Sequence, residues 1–420
     1  MDKLVIEGGR PLQGSVEVSG SKNALLPILA ATLLTADKCV IKSAPILRDT
    51  NTMLRILRNL GVEVAVNGST IVVRSGQLKN NVAPYKLVST MRASFCVLGA
   101  LVGRLRKAKV SLPGGCIIGV RPVDLHIKGL RCLGTHIDIR DGYVCADAKR
   151  LRGRNVFLGG LFGSSVLATD NVMMAATLAD GETIIENAAC EPEVVDLANF
   201  LIAMGAKITG HGSPCIRIKG VKSLHGCEYK IIPDRIEAGT LAIAAAITKG
   251  HVTIKNVVIE HLAAVIEKLQ EAGVYVKVGK NFIVVRGKNS VKPVDIATLP
   301  YPGFPTDMQA QFMSLMCLAK GISVITERIY QDRFMHIAEL NRMGAQIFRQ
   351  GSSAIVHGVK KIHGAPVMAS DLRASAALVL AGLVAREKTE VFRIYHLERG
   401  YENLEKKLQK LGATIYREKE

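Results

Sequence analysis

Two hydrophobic patterns alternate along the whole chain of 420 residues. In the first, a run of small and apolar residues is followed by a short β-branched stretch. The instances are Asn23–Leu34 then Cys39–Ile41, Arg92–Leu105 then Val110, and Val172–Leu178 then Thr183–Ile185. They continue with Ala238–Ile247 then Val252–Ile254, Gln309–Leu318 then Val324–Ile325, and Ala374–Val384 then Val391–Phe392. Each predicts an apolar helix leading into a strand. In the second pattern a helical stretch ends in a small or apolar residue, then glycine, then a β-branched residue three positions on. It occurs at Gly61, Gly134, Gly205, Gly273, Gly344 and Gly412, spaced 73, 71, 68, 71 and 68 residues apart. Glycine there predicts a helix C-terminal stop, and the alternation after it predicts a strand.

Six units in register make an internal repeat. Each holds two helices with strands between and after them, so the class is α/β with mixed sheets. The repeats divide three and three near Tyr229–Pro233. The first strand, Lys3–Ile6, is expected to join the later half, because the last unit otherwise ends at the terminus. The expectation is two lobes, residues 22–231 and residues 1–21 with 232–420, with an active site in the cleft between them.

Composition adds modest constraints. With 48% hydrophobic and 22% charged residues the chain reads as an ordinary soluble globular protein. No apolar run reaches membrane-spanning length, and the start, Met-Asp-Lys-Leu-Val-Ile-Glu, lacks the plan of a signal peptide. Nine cysteines occur without Cys-x-x-Cys or metal-ligand spacing, which predicts a reducing cytoplasm, no disulfides and no structural zinc. The formal charge of +19 is the odd total. Arg104–Lys109 and Lys149–Arg154 are candidate nucleic-acid patches, but they have few aromatic neighbours and no accompanying motif. A solvated basic surface that attracts small anionic substrates fits better.

The chemistry concentrates at two kinds of place. Before each apolar helix stands a polar cluster: Ser19–Asn23, Ser89–Arg92, Ser164–Asp170, Pro233–Arg235, Pro305–Asp307 and Ser370–Arg373. Ser, Thr and Asp predict helix caps, and a helix N-terminus offers N–H groups and positive potential to an anion. Lys22, Arg92, Arg235 and Arg373 add cations there, and Arg121 and Arg399 precede second helices. The other place is the loop within Ser111–His126, where Pro113, Gly114, Gly115 and Gly119 surround Cys116, followed by Arg121 and Asp124. A thiol beside positive charge on such a loop suits a nucleophile or proton donor acting on an anionic substrate.

These motifs resemble the UDP-N-acetylglucosamine 1-carboxyvinyltransferases of the enolpyruvyl transferase family. The resemblance runs nearly end to end. It rests on Ser21-Lys-Asn23, Thr90-Met-Arg-Ala-Ser94, the loop from Leu112 to His126, Pro302-x-Phe-Pro-Thr-Asp-Met-Gln-Ala-Gln311, Glu327 with Arg333-Phe-Met-His336, Asp371-Leu-Arg-Ala-Ser375 and Arg399-Gly-Tyr401. It implies a two-lobed inside-out α/β barrel built from six βαβαββ repeats, three per lobe. It also implies transfer of enolpyruvyl from phosphoenolpyruvate to the 3-hydroxyl of UDP-N-acetylglucosamine, with phosphate released from a tetrahedral intermediate, as the opening of peptidoglycan synthesis. By the same resemblance Cys116, Asp307 and Lys22 are catalytic, with Cys116 the proton donor, the site of a covalent phosphoenolpyruvate adduct and the target of fosfomycin. Lys22, Asn23, Arg121, Arg399 and Arg373 match phosphoenolpyruvate contacts. Arg92, Arg121, Pro122, Val123, Asp124, Leu125, Ser165, Val166, Asp307 and Ile329 match sugar-nucleotide contacts, and Asp371 with Arg373 a charged pair at the cleft. No cofactor, metal, nucleic acid, membrane or obligate protein partner is implied.

Three departures stand out. The family's usual Ser-Val-Gly-Ala-Thr is Ser165-Val-Leu-Ala-Thr169 here, and Leu167 restricts the backbone where glycine would not. The segment Leu158–Gly163 lacks the family's usual basic residue, and Arg48 stands where lysine is common. The sister enzyme acting on shikimate 3-phosphate lacks the cysteine loop. RNA 3′-phosphate cyclase needs a nucleotide-accepting histidine with no counterpart here. A non-catalytic cationic binding protein leaves Cys116, Asp307 and the arginines without a role.

Overall fold

The computed structural model describes residues 2–114, 123–160 and 163–419. They fall into two compact units, residues 2–19 with 233–419 and residues 20–232. Each unit holds three four-stranded sheets, so the six sheets correspond to the six repeats.

All six repeat glycines stop a helix in the same way. Their φ values are +95°, +98°, +99°, +83°, +89° and +97° in chain order, the left-handed region where a Cβ is costly. At the first stop the Gly61 amide donates to Arg58 O and the Val62 amide to Leu57 O, both at 3.0 Å. The pair of bonds recurs at the other five, as at Gly412, whose amide reaches Gln409 O at 2.9 Å while Ala413 reaches Leu408 O at 3.0 Å. This double closure satisfies the last carbonyls and turns the chain into the next strand.

In each repeat one helix is buried nearly all round. These inner helices are Lys22–Ala31, Val97–Leu105, Val166–Ala176, Arg235–Ile247, Gln309–Met316 and Leu372–Gly382. All eight residues of Gln309–Met316 are buried, and all but the first residue of Arg235–Ile247 and of Leu372–Gly382. The other helix of each repeat is amphipathic, as in Arg48–Asn59, where Met53, Leu54, Ile56 and Leu57 face inward. Sheets cover the helices with one face only: in Cys215–Lys219, Ile216 and Ile218 are buried and their neighbours exposed. Helices inside and sheets outside make each unit an inside-out α/β arrangement.

Every sheet has the same order: a short edge strand parallel to a central strand, then two antiparallel strands. Three of the edge or inner places are filled from far along the chain. Asp2–Glu7 lies between Lys388–Phe392 and Thr414–Lys419. Gln13–Glu17 pairs in parallel with His251–Lys255, and Glu228–Lys230 with Lys38–Lys42. Each unit therefore closes on itself.

The basic run at Arg104–Lys109 is in part an internal strut and not a solvated surface. Arg104 donates to the carbonyls of Leu33 and Thr35 at 2.9 Å and of Ser75 at 2.6 Å, and Arg106 reaches Leu178 O at 2.8 Å. The eight described cysteines are free thiols, and among the described residues no helix is long and apolar enough to cross a membrane.

Candidate active site

The polar residues at the starts of the inner helices are largely buried, Ser21 at 1% and Asp234 at 4% exposure, and are held there by their own helix ends. Four of the expected caps are made. Ser21 accepts from Ala24 N and Ser165 from Ala168 N, both at 3.4 Å. Asp234 accepts from Ile236 N at 2.8 Å and Glu237 N at 3.1 Å, and Asp371 from Arg373 N at 2.8 Å and Ala374 N at 3.1 Å. The exceptions are Arg92, which opens a 3₁₀ segment with no side-chain cap, and Asp307, whose carboxylate is committed elsewhere.

In the unit of residues 20–232, Lys22 is 8% exposed and its ammonium lies 3.0 Å from the Asp49 carboxylate. Asn23 beside it is half-buried. Val123, Asp124 and Leu125 sit at the start of the helix Asp124–Cys132, with Asp124 exposed. His126 of the same motif is a core residue. Its ring packs edge-on to Phe95 at 5.1 Å, its Nδ1 meets the Asn171 amide at 2.8 Å, and burial pushes its pKa down to about 3. Leu167, expected to restrict the backbone, lies inside the helix Val166–Ala176 and packs on the core, so the leucine is at ease in its backbone. Cys116, Arg121 and Pro122 lie outside the described residues.

In the other unit Asp307 is the centre. It belongs to the 3₁₀ turn Thr306–Met308, and the helix proper starts only at Gln309. Its two oxygens are taken by different arginines: Arg333 reaches Oδ1 and Arg373 reaches Oδ2, each at 2.8 Å. Burial alone would raise the Asp307 pKa, but the two guanidinium charges override it and hold the group well below the carboxylate range. About a quarter of its side chain, 27%, is still open to solvent. The expected charged pair is therefore rearranged: Asp371 caps its helix through backbone amides, and the ionic partner of Arg373 is Asp307. Only short polar caps reach the first-turn amides, while the long Arg373 side chain projects past its own cap.

The Arg373 guanidinium lies 5.3 Å from the ring centre of Tyr401. That phenol is fixed by Thr240 at 2.8 Å and by the Gln311 amide at 3.0 Å. His336, also buried in this unit, has its pKa pushed down to about 4 by burial. Arg399 ends the 3₁₀ segment Ile394–Arg399 and is half-buried. Ile329 follows the strand Ile322–Thr326, its amide donating to Glu327 Oε1 at 2.8 Å. Sequence reasoning placed Asp307 among the candidates but missed Asp49, Thr306 and Arg333 as its neighbours and those of Lys22. Arg333 was visible only as a motif member, and the acid after Arg48 was the one local sign of Asp49.

A carboxylate ionised between two arginines, and partly open to solvent, suits a hydroxyl nucleophile and an anionic substrate. Comparison with known proteins narrows this. The family model described as EPSP synthase (3-phosphoshikimate 1-carboxyvinyltransferase) matches residues 6–408. The chain belongs to the EPSP synthase family.

Among curated relatives, a protein of Methylacidiphilum infernorum is 54% identical over 417 residues, covering 99% of each chain. One from Geotalea uraniireducens is 55% identical over 420 residues, covering 100% of each. Both are named UDP-N-acetylglucosamine 1-carboxyvinyltransferase. The enolpyruvyl transferase NikO of Streptomyces tendae superposes with a TM-score of 0.90 at 26% identity, over 99% of this chain and 98% of that one. An EPSP synthase from Acinetobacter baumannii shares the fold, with a TM-score of 0.78 at 18% identity over 100% of both chains.

Proposed function

We propose that this member of the EPSP synthase family is a UDP-N-acetylglucosamine 1-carboxyvinyltransferase. It transfers enolpyruvyl from phosphoenolpyruvate to the sugar 3-hydroxyl, releases phosphate and opens peptidoglycan synthesis. The observation that carries this reading is the match at 54–55% identity, over essentially full length, to relatives of that name. The free thiols of the described cysteines support a reducing, cytoplasmic setting.

Lys22, Asn23, Arg121, Arg373 and Arg399 hold the phosphate and carboxylate of phosphoenolpyruvate, where planar guanidinium forks give bidentate contacts. Arg92, Arg121–Leu125, Ser165, Val166 and Ile329 hold the sugar nucleotide. Asp307 receives the 3-hydroxyl. Its depressed pKa makes it a weak base, so it orients the hydroxyl and takes the proton only as the new C–O bond forms. Cys116 gives its thiol proton to the methylene carbon while the sugar oxygen bonds to the adjacent carbon. The resulting ketal then loses a methyl proton and phosphate, restoring the double bond.

The test is phosphate release from protein mixed with phosphoenolpyruvate and either UDP-N-acetylglucosamine or shikimate 3-phosphate. Release with the sugar nucleotide alone is expected. Release with shikimate 3-phosphate alone would assign the chain to the sister activity.

A further inference from the structure

Glu327 is a fully buried carboxylate, 0% exposed, at the end of the strand Ile322–Thr326. Its oxygens accept four hydrogen bonds. Oε1 takes the Thr298 hydroxyl at 2.6 Å, the Ile329 amide at 2.8 Å and the Tyr330 amide at 3.0 Å. Oε2 takes the Thr306 hydroxyl at 2.8 Å. The Thr306 hydroxyl donates to Glu327 Oε2, so its proton points at that oxygen. That leaves the lone pairs of Thr306 Oγ1 for Arg333, whose NH1 donates to it at 3.0 Å. The same nitrogen donates to Asp307 Oδ1 at 2.8 Å. Arg333 is 5% exposed and has little freedom to find water instead.

The geometry points to Glu327 as a positioning residue for Asp307, acting through the relay Glu327–Thr306–Arg333–Asp307. It fixes the direction of one hydroxyl, and that direction fixes which face of the Asp307 carboxylate Arg333 occupies. The carboxylate is thereby aimed before any substrate arrives, and such preorganisation is worth most in the transition state. The other Glu327 oxygen, Oε1, anchors the amide of Ile329, so one buried acid sets both the carboxylate and the neighbouring loop. The inference rests on the reading that Asp307 receives the sugar hydroxyl.

The alternative is that Glu327 merely staples the loop. A staple would move folding stability and the KM for the sugar nucleotide, and nothing else. The relay predicts a different split for Thr306→Val, which keeps the shape and removes the hydroxyl. Its kcat should fall about 10–100-fold, the cost of misaligning a catalytic group, while KM for UDP-N-acetylglucosamine stays within about threefold of wild type. The acid limb of its kcat profile should move to higher pH, because a less firmly held Arg333 stabilises the Asp307 anion less. Thr306→Ser should restore both. In Glu327→Gln the amide oxygen is kept by the three donors at the Oε1 position, so its NH2 faces Thr306 and donates where the carboxylate accepted; this variant should shift the limb in the same direction as Thr306→Val. A folded Thr306→Val protein with wild-type kcat and an unmoved acid limb would overturn the relay alone. Wild-type protein that releases no phosphate with UDP-N-acetylglucosamine, or Asp307→Asn with undiminished turnover, would overturn the underlying reading and the relay with it.

Discussion

Arg373 directs its guanidinium to Asp307, 66 residues away in sequence, and not to Asp371 two positions before it. Its NH2 meets Asp307 Oδ2 at 2.8 Å while only 2% of the residue is exposed. Removing the acid would leave two buried guanidinium groups facing each other, so Asp307→Asn is a cleaner probe than Asp307→Ala. Turnover of Asp307→Asn should fall by about two to four orders of magnitude, the usual worth of acid–base help, while UDP-N-acetylglucosamine binding by calorimetry persists. Wild-type turnover would remove Asp307 from the chemistry.

The same carboxylate links stability to pH with a definite sign. Its folded pKa lies below the ordinary value of 3.8. The native state therefore binds fewer protons than the unfolded chain on the acid side. The stability it contributes is present above 3.8 and is lost as pH falls through the depressed folded value. Denaturant titrations of wild type and Asp307→Asn should differ in acid-side slope, the wild type losing stability more steeply. Parallel curves would mean that the arginine clamp is absent in solution.

Lys22 and Asp49 make the corresponding buried pair in the other unit, at 3.0 Å with 10% and 4% of their side chains exposed. Breaking such a pair from one side leaves an uncompensated charge, at a cost of about 3–5 kcal/mol. Asp49→Ala should lower the urea midpoint accordingly, and should raise the KM for phosphoenolpyruvate because Lys22 is no longer aimed. An unchanged midpoint would show that the lysine finds water or another acid.

The repeat glycines were legible in the sequence because one backbone requirement recurs six times, and only glycine meets a φ near +90° without strain. The structure separates them by surroundings. A Cβ at Gly412 would meet nothing within 4 Å, whereas at Gly61 it would come within 2.9 Å of the Lys79 backbone nitrogen. Gly412→Ala should therefore cost only the left-handed backbone penalty of about 1–2 kcal/mol, and Gly61→Ala distinctly more. Equal losses in chemical denaturation would count against this ranking.

The inner helices were equally visible, since small apolar residues persist around the whole helix and leave only the N-terminal cluster polar. Of the long-range closures, only the return of the first strand to the later half was expected, and Asp2–Glu7 does pair with Lys388–Phe392 and Thr414–Lys419; the other two were not. Gln13–Glu17 carries one buried residue, Val16, too few to announce a strand. Glu228–Lys230 becomes a strand only because Lys38–Lys42 offers it an edge. Asp307 could be picked as a candidate from its place before a helix. Its partners could not, because Arg333 and Arg373 come from two other connections, 26 and 66 residues away. Local pattern named the groups, and tertiary structure alone decided the pairs.

Cys116 carries the sharpest prediction for the proposed reaction. Protonating the methylene carbon of phosphoenolpyruvate needs a donor that can also lose its proton near neutral pH. In the proposed reaction the thiol serves as that acid, and the thiolate it leaves is an easy target for alkylation. A serine hydroxyl is far too weak an acid, so Cys116→Ser should be nearly inactive. A carboxylic acid can donate the same proton, so Cys116→Asp should retain activity. Neither variant offers a thiolate, so both should resist inactivation by the epoxide fosfomycin, which should silence the wild type. The measurement is turnover of the three proteins with and without the epoxide, followed by mass analysis for a covalent adduct. A fully active serine variant would remove the thiol from the proton transfer, and inactivation of that variant would move the alkylated residue elsewhere.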